Sequence, residues 1–347
     1  MDHGNLEEVR VKKRALITGI SGMVGSHLAE YLLKHTDWDI VGMLRWRSPL
    51  DNIAGIIDRV NNKDRVTLAY ADLRDTLSIE AAISKSAPDY VFHLAAQSYP
   101  KTSFDAPLDT LDTNIQGTVR ILDAIKKYAH NAKVHVCSSS EVYGRVSKDK
   151  LPIKEDCSFH PASPYAISKV GTDLVGRYYA EAYGICVMTT RMFTHTGPRR
   201  GDVFAESSFA KQIAMIENGL MEPVVKVGNL NSLRTIADVR DAVRAYYMLL
   251  TENPRSGESY NIGGNHTCTV GEMLQYLISI STVRNIQFKV DEERIRPIDA
   301  DLQVPDTSKF HLHTGWEPII SFEQTMADLL DYWRNKITSS GNIYLNR

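Results

Sequence analysis

Short apolar runs alternate with amphipathic stretches of helical length through the first half of the chain. Runs this rich in apolar residues read as strands covered on both faces, and their alternation with helices is the pattern of a parallel sheet between two helical layers. The pattern predicts strands over Arg14 to Thr18, Asp39 to Leu44, Val66 to Tyr70, Tyr90 to Leu94, Lys133 to Ser138 and Cys186 to Met192. Between them it predicts helices near Val24 to Lys34, Ile79 to Ser86, Leu108 to Tyr128 and Tyr165 to Tyr183. The expected fold class is α/β, a doubly wound parallel sheet of Rossmann-like form.

After Thr194 the elements shorten and Gly and Pro separate them, which predicts a smaller mixed α/β lobe. The expected division is a main domain over 13–193 and a lobe over 194–335, with 238–262 returning to the main domain. Ligands of open α/β sheets bind at the carboxyl edge, so the cleft under the lobe is the expected site.

With 347 residues and a formal net charge of -2, the chain offers no basic surface for nucleic acid or for an anionic membrane. Neither a spanning apolar stretch nor a signal-like N-terminus is read, so a cytoplasmic protein is expected. Cys137, Cys157, Cys186 and Cys268 are too scattered for a zinc site or a disulfide framework. Asn265-His266-Thr267 fits a glycosylation sequon but lacks a secretory context. His311 and His313 could share a strand face, but no ligand cluster accompanies them and no metal is expected.

Four constellations carry chemistry. Thr18-Gly19-Ile20-Ser21-Gly22-Met23-Val24-Gly25 links the first strand to the first helix, the setting of a dinucleotide fingerprint. Arg45 and Arg47 follow the second strand, where an acid would serve NAD; two guanidiniums favour the 2′-phosphate of NADP. Asp72, after the third strand, is read at the adenine edge. Ser139 and Glu141 end the fifth strand, as hydrogen-bonding hydroxyl and base. Tyr165 and Lys169 stand one helical turn apart, so the ammonium is expected to favour the phenolate and lower the Tyr165 pKa from about 10. Each has a plainer reading alone, as a glycine turn, a solvated basic loop, a serine-rich turn or a chance pair on an amphipathic helix; their joint presence is the signal.

Thr18 to Gly25, Ser139, Tyr165 and Lys169 resemble the extended short-chain dehydrogenase/reductase superfamily. Within it the chain most resembles GDP-mannose 4,6-dehydratases, through Arg45 to Asn52, Phe92 to Asp105, Ser139 to Gly144, Pro198 to Gly201, Val227 to Leu230, Arg296-Pro297 and Asp306 to Lys309. The resemblance runs from about Lys13 to Arg334. It implies cofactor contacts by Gly19, Gly22, Met23, Val24, Gly25, Arg45, Arg47, Asp72, Leu73, Leu94, Tyr165 and Lys169. For the substrate it implies Ser98, Thr194 and Lys211, while Arg199, Arg200, Arg234 and Arg296 are candidates for the diphosphate and nucleoside. Three departures stand around the expected sugar: Thr194 in place of asparagine, Thr235 in place of aspartate and Tyr99 where histidine is frequent.

The resemblance implies a GDP-sugar 4,6-dehydratase with NADP, acting on GDP-mannose or a related heptose, and a homodimer or homotetramer. A GDP-4-keto-6-deoxymannose reductase is the second reading, which Phe209 to Ile213 and Ala237 to Asp241 also resemble. A nonenzymatic NADP-sensing protein is the reading from another class; the presence of Ser139, Tyr165 and Lys169 together speaks against it.

Overall fold

The computed structural model describes residues 12–295, 298 and 300–340. Strands β1 (Arg14–Thr18), β2 (Asp39–Leu44), β3 (Val66–Tyr70), β4 (Tyr90–His93), β5 (Lys133–Cys137) and β6 (Cys186–Met192) form where the apolar runs predict them. A further strand, Ser259–Ile262, pairs with β6 and completes a seven-stranded sheet ordered Ser259–Ile262, β6, β5, β4, β1, β2, β3. Every pairing is parallel.

Successive residues of β1 face opposite layers, so the sheet is buried on both sides. Ala15 and Ile17 enter one core, with Leu28 and Leu32 of the helix Met23–His35 and Tyr246 and Leu249 of the helix Val239–Thr251. Leu16 enters the other, with Ile83, Ile121, Ile125 and Tyr179. This period of two explains why the strand ends were readable to within a residue.

The chain passes from β3 to β4 across β1, making the gap between the carboxyl ends of β1 and β4 the switch point at which such sheets bind ligands. Thr18 ties the two strand ends together, its Oγ1 accepting from the N–H groups of Leu94 and Ala95, each at 3.0 Å.

A second core under the lobe joins the helices Ala205–Glu217, Val270–Ser279 and Phe322–Ser340 through Phe209, Ile213, Met273, Met326, Leu330 and Trp333. Leu233–Asp238 is the centre of a small sheet beside them, pairing with His195–Thr196, His266–Thr269 and Leu302–Gln303. Among the described residues no helix is long and apolar enough to cross a membrane.

Two local expectations are corrected. The helix expected over Leu108 to Tyr128 is interrupted: Pro107–Leu111 leads into a π turn, Asp112–Gln116, before Gly117–Tyr128 resumes. Inside that turn the Asn114 carbonyl accepts from the hydroxyls of Thr118 at 2.6 Å and Thr172 at 3.2 Å, giving the wider turn partners of its own. His311 and His313 lie on a helix, Ser308–Thr314, not a strand, so their side chains diverge. His313 meets the Asn253 carbonyl at 2.8 Å, and no metal-binding group of side chains occurs among the described residues.

Candidate active site

The fingerprint is built for close approach. Gly19 has φ +74°, and a Cβ there would lie 3.1 Å from the Ala95 Cα across the switch point. A Cβ on Gly25 would lie 2.7 Å from the Ile20 Cα, so only glycine lets the helix start against the loop. Gly22 caps Met23–His35 without a side-chain hydrogen bond, and no acid stands in the first turn. The helix N-terminus, Met23 and Val24 included, thus presents N–H groups and positive dipole to an anion.

Arg45 and Arg47 are exposed just beyond β2, flanking Trp46, which meets Tyr70 edge to face at 4.9 Å. Asp72 receives the Arg74 N–H at 2.9 Å and its guanidinium at 3.3 Å. Burial alone would raise the Asp72 carboxyl; Arg74, with Arg45 at longer range, holds it below its ordinary value. Leu73 is buried against Gly117, where a Cβ would sit 2.9 Å from the leucine Cβ.

The proton-transfer candidates converge at the carboxyl ends of β4 and β5. Ser163 caps the helix Pro164–Tyr183 by accepting the Ala166 N–H at 3.0 Å, with Pro164 opening it, so Tyr165 falls in the first turn at the sheet edge. Lys169, one turn on and 5% exposed, donates to the Cys137 carbonyl at 2.7 Å. The Ser138 hydroxyl donates to the Lys169 carbonyl at 3.1 Å, joining strand and helix. The Ser139 hydroxyl favours the ionised form of the Tyr165 phenol, and its Oγ accepts the Glu141 N–H at 3.2 Å, bringing the Glu141 turn (Ser140–Tyr143) to the same strand end.

The expected lowering of the Tyr165 pKa is corrected. Burial pushes the phenol well above its ordinary value, and the influences that favour its ionised form are the Ser139 hydroxyl and the field of Arg200. Lys169 sits 5.9 Å from the ring centre, tied to the Cys137 carbonyl, and burial lowers its own pKa. Tyr165 therefore rests as a neutral phenol. His93 and His135, buried beneath the site, are pushed down to about 3 by burial and are neutral.

The substrate candidates separate into groups. Arg200, lying over the Phe204 ring at 3.4 Å and paired with Glu206 at 3.0 Å, acts electrostatically on both Tyr165 and His195. Ser98 is exposed on the loop after β4, and Thr194 follows β6, its carbonyl accepting the Ala237 N–H at 2.9 Å. Lys211 pairs with Asp202 at 2.8 Å, and Arg234 donates to the Ala300 carbonyl at 2.6 Å. Arg199 faces the main domain instead, bonding Glu30 of the first helix at 2.6 Å. Arg296 lies outside the described residues.

Asn114 is a residue the sequence reading did not single out. Its Oδ1 accepts the Gln97 N–H at 2.8 Å while Nδ2 donates to the Gln97 carbonyl at 2.9 Å and to the Ser168 Oγ at 2.8 Å. It thereby fixes the loop after β4 against the helix of Tyr165. A polar residue on the inner face of an apolar helical stretch was the available signal.

A model of the GDP-mannose 4,6 dehydratase family matches residues 16–329. A Pseudomonas aeruginosa protein named GDP-6-deoxy-D-mannose reductase is 31% identical over 94% of this chain and 98% of its own. A Yersinia enterocolitica protein named GDP-mannose 4,6-dehydratase is 30% identical over 92% and 93%. The solved structure of RMD from Pseudomonas aeruginosa, complexed with NADPH, superposes with a TM-score of 0.80 at 30% identity, covering 94% of this chain and 100% of that one. With the fingerprint at the switch point and Ser139, Tyr165 and Lys169 gathered at the same edge, the chain belongs to the GDP-mannose 4,6-dehydratase family.

Proposed function

We propose that the protein is an NADP-dependent GDP-sugar 4,6-dehydratase that converts GDP-mannose or a related GDP-manno-heptose to the 4-keto-6-deoxy sugar. The observation that carries this reading is the dehydratase-family match over residues 16–329, within which Glu141 donates its backbone N–H to the Ser139 Oγ at 3.2 Å. A carboxylate beside a phenol suits proton transfer at two neighbouring carbons.

Gly19, Gly22, Gly25 and the helix start would hold the pyrophosphate, and Arg45 and Arg47 the 2′-phosphate. When bound there, NADP would supply the hydride acceptor for C4 and the hydride donor for C6. Once its phenol proton has passed to solvent, Tyr165 takes the C4 hydroxyl proton as the phenolate; Ser139, which favours that ionised form, steadies the oxygen. Because Tyr165 rests protonated, the Ser139 hydroxyl and the Arg200 field are what ease its ionisation. Glu141 then removes the C5 proton, acidified by the adjacent ketone, the proton held by Tyr165 passes to the C6 oxygen as it leaves as water, and Glu141 returns a proton to C5 as hydride is restored at C6. Arg200, Lys211, Arg234 and Arg296 are proposed for the diphosphate and nucleoside.

The similarity to a reductase over nearly its whole length supports a second reading, reduction of the 4-keto sugar. Incubation with GDP-sugars and with their 4-keto derivatives, with and without NADPH, separates the two by mass spectrometry. Loss of water without added reductant is expected. Gain of two hydrogens in the presence of NADPH, one as its hydride and one as a proton, with no dehydration, would establish the reductase.

NADP is expected to bind more tightly than NAD, with Arg45→Ala or Arg47→Ala narrowing the difference in a titration; equal affinities in the wild type would contradict the assignment. A homodimer or homotetramer is also proposed. Ile167, Leu174 and Tyr178 form an exposed stripe at helical spacing on Pro164–Tyr183, and Leu108 is 80% exposed nearby in sequence to the neighbouring helix. Sedimentation at micromolar concentration is expected to give a dimer or larger, and a monomer would overturn this.

A further inference from the structure

Arg191 lies near the end of β6 and is 6% exposed, out of reach of a substrate. Its Nε and Nη2 donate to the two carboxylate oxygens of Asp173 at 2.9 and 3.0 Å. Its Nη1 donates to the Tyr143 hydroxyl at 3.0 Å and to the Glu155 carbonyl at 2.7 Å. The Tyr143 hydroxyl in turn donates to the Asn261 Oδ1 at 2.7 Å, on the strand next to β6.

The two partners are not arbitrary. Asp173 follows Lys169 by one helical turn and Tyr165 by about two, on the same face of the same helix. Tyr143 belongs to the single turn that carries Glu141. One planar guanidinium thus holds both the helix of the C4 proton group and the turn of the C5 proton group, with directional bonds that an apolar contact would not supply. A buried ion pair is weak evidence for stability by itself, since an apolar pair of similar volume is often as stable. The informative group is the Tyr143 hydroxyl. Its ring is fully buried and stacked on Phe193, so packing would be met by phenylalanine, and the hydroxyl adds only the link from Arg191 to Asn261.

We propose that Arg191 is a positioning residue that fixes Glu141 relative to Tyr165, with the Tyr143 hydroxyl as the arm by which it holds the Glu141 turn. This rests on the roles proposed above for Glu141 and Tyr165. Two proton transfers at adjacent carbons of one sugar need both groups in register at once, and displacement by about 1 Å can cost about 10²-fold in rate.

The test is Tyr143→Phe in the full-length protein, followed by rapid mixing with NADP and GDP-mannose. The expected result is a C5 deuterium exchange and water loss slowed by about tenfold or more, with the initial appearance of reduced cofactor within about twofold of wild type. Phe159→Leu is the control: this ring also packs on the Arg191 guanidinium, at 4.7 Å, but leaves the hydroxyl link intact, so the ratio of the two steps should not move. Thermal denaturation of both variants separates a general loss of stability from a change in that ratio. Equal slowing of both steps by Tyr143→Phe, or of neither, overturns the proposal. Glu141→Gln distinguishes the two levels: if it keeps normal C5 exchange, the role of Glu141 falls and the positioning proposal with it. If it loses exchange while Tyr143→Phe does not, the positioning proposal alone falls.

Discussion

Tyr165→Phe is expected to abolish both cofactor reduction and loss of water, whereas Glu141→Gln keeps the first and stops the second. The phenol oxygen is the group that Ser139 and Arg200 favour in its ionised form, so its removal leaves no acceptor for the C4 proton. General acid–base catalysis contributes about 10²- to 10⁴-fold, and the Tyr165→Phe rate should fall by at least that range. In Glu141→Gln the backbone N–H that bonds Ser139 is retained, so the Tyr165 and Ser139 pair keeps its geometry. The carboxamide fills the same space without being a useful base, and the loss of about 10²-fold or more should lie in elimination. Reduced cofactor should therefore build up beside a 4-keto sugar that still carries its C6 oxygen. Rapid-mixing absorbance with deuterium incorporation at C5 reads both steps. Normal dehydration with normal deuterium uptake by Glu141→Gln would assign the base to another residue.

The opposed outcomes depend on features of unequal legibility. Strands β1 to β6 were readable because residues facing both layers are apolar, a pattern that survives without knowledge of neighbours. The fingerprint was readable for a similar reason, since three of its glycines answer to contacts within the same strand, loop and helix or with the adjacent strand end. Spacing also put Tyr165 and Lys169 on one face, but it could not give the sign of the Tyr165 shift. That sign follows from burial, and from Lys169 being directed to the Cys137 carbonyl on a strand distant in sequence. Asn114 and Arg191 were missed because each acts through partners that only the folded chain assembles: Gln97 and Ser168 for one, Asp173 and Tyr143 for the other.

Gly144→Ala should be the most damaging single-methyl change near the site. Gly144 ends the Glu141 turn with φ +53° and ψ -119°, a conformation that L side chains rarely adopt. An added Cβ would overlap the His160 carbonyl oxygen and lie 2.6 Å from its carbon and 3.3 Å from the Ala162 nitrogen. All three neighbours are backbone, and the His160 N–H is itself bonded to the Val142 carbonyl at 3.0 Å, so no side-chain rotation relieves the overlap. The unfavourable dihedral costs about 1–3 kcal/mol and overpacking about as much again, a destabilisation of roughly 2–6 kcal/mol. The segments 141–144 and 160–162 must separate to admit the methyl, and Glu141 moves with the first while Tyr165 follows the second. Below the unfolding temperature, Gly144→Ala should therefore lose dehydration far more than NADP affinity, because Gly19, Gly25, Arg45 and Arg47 lie on other strand ends. Calorimetry and cofactor titration on the same preparation test both parts. Wild-type thermal stability with unaltered turnover would show that the turn can open freely and that its tight closure on His160 does not hold Glu141 in place.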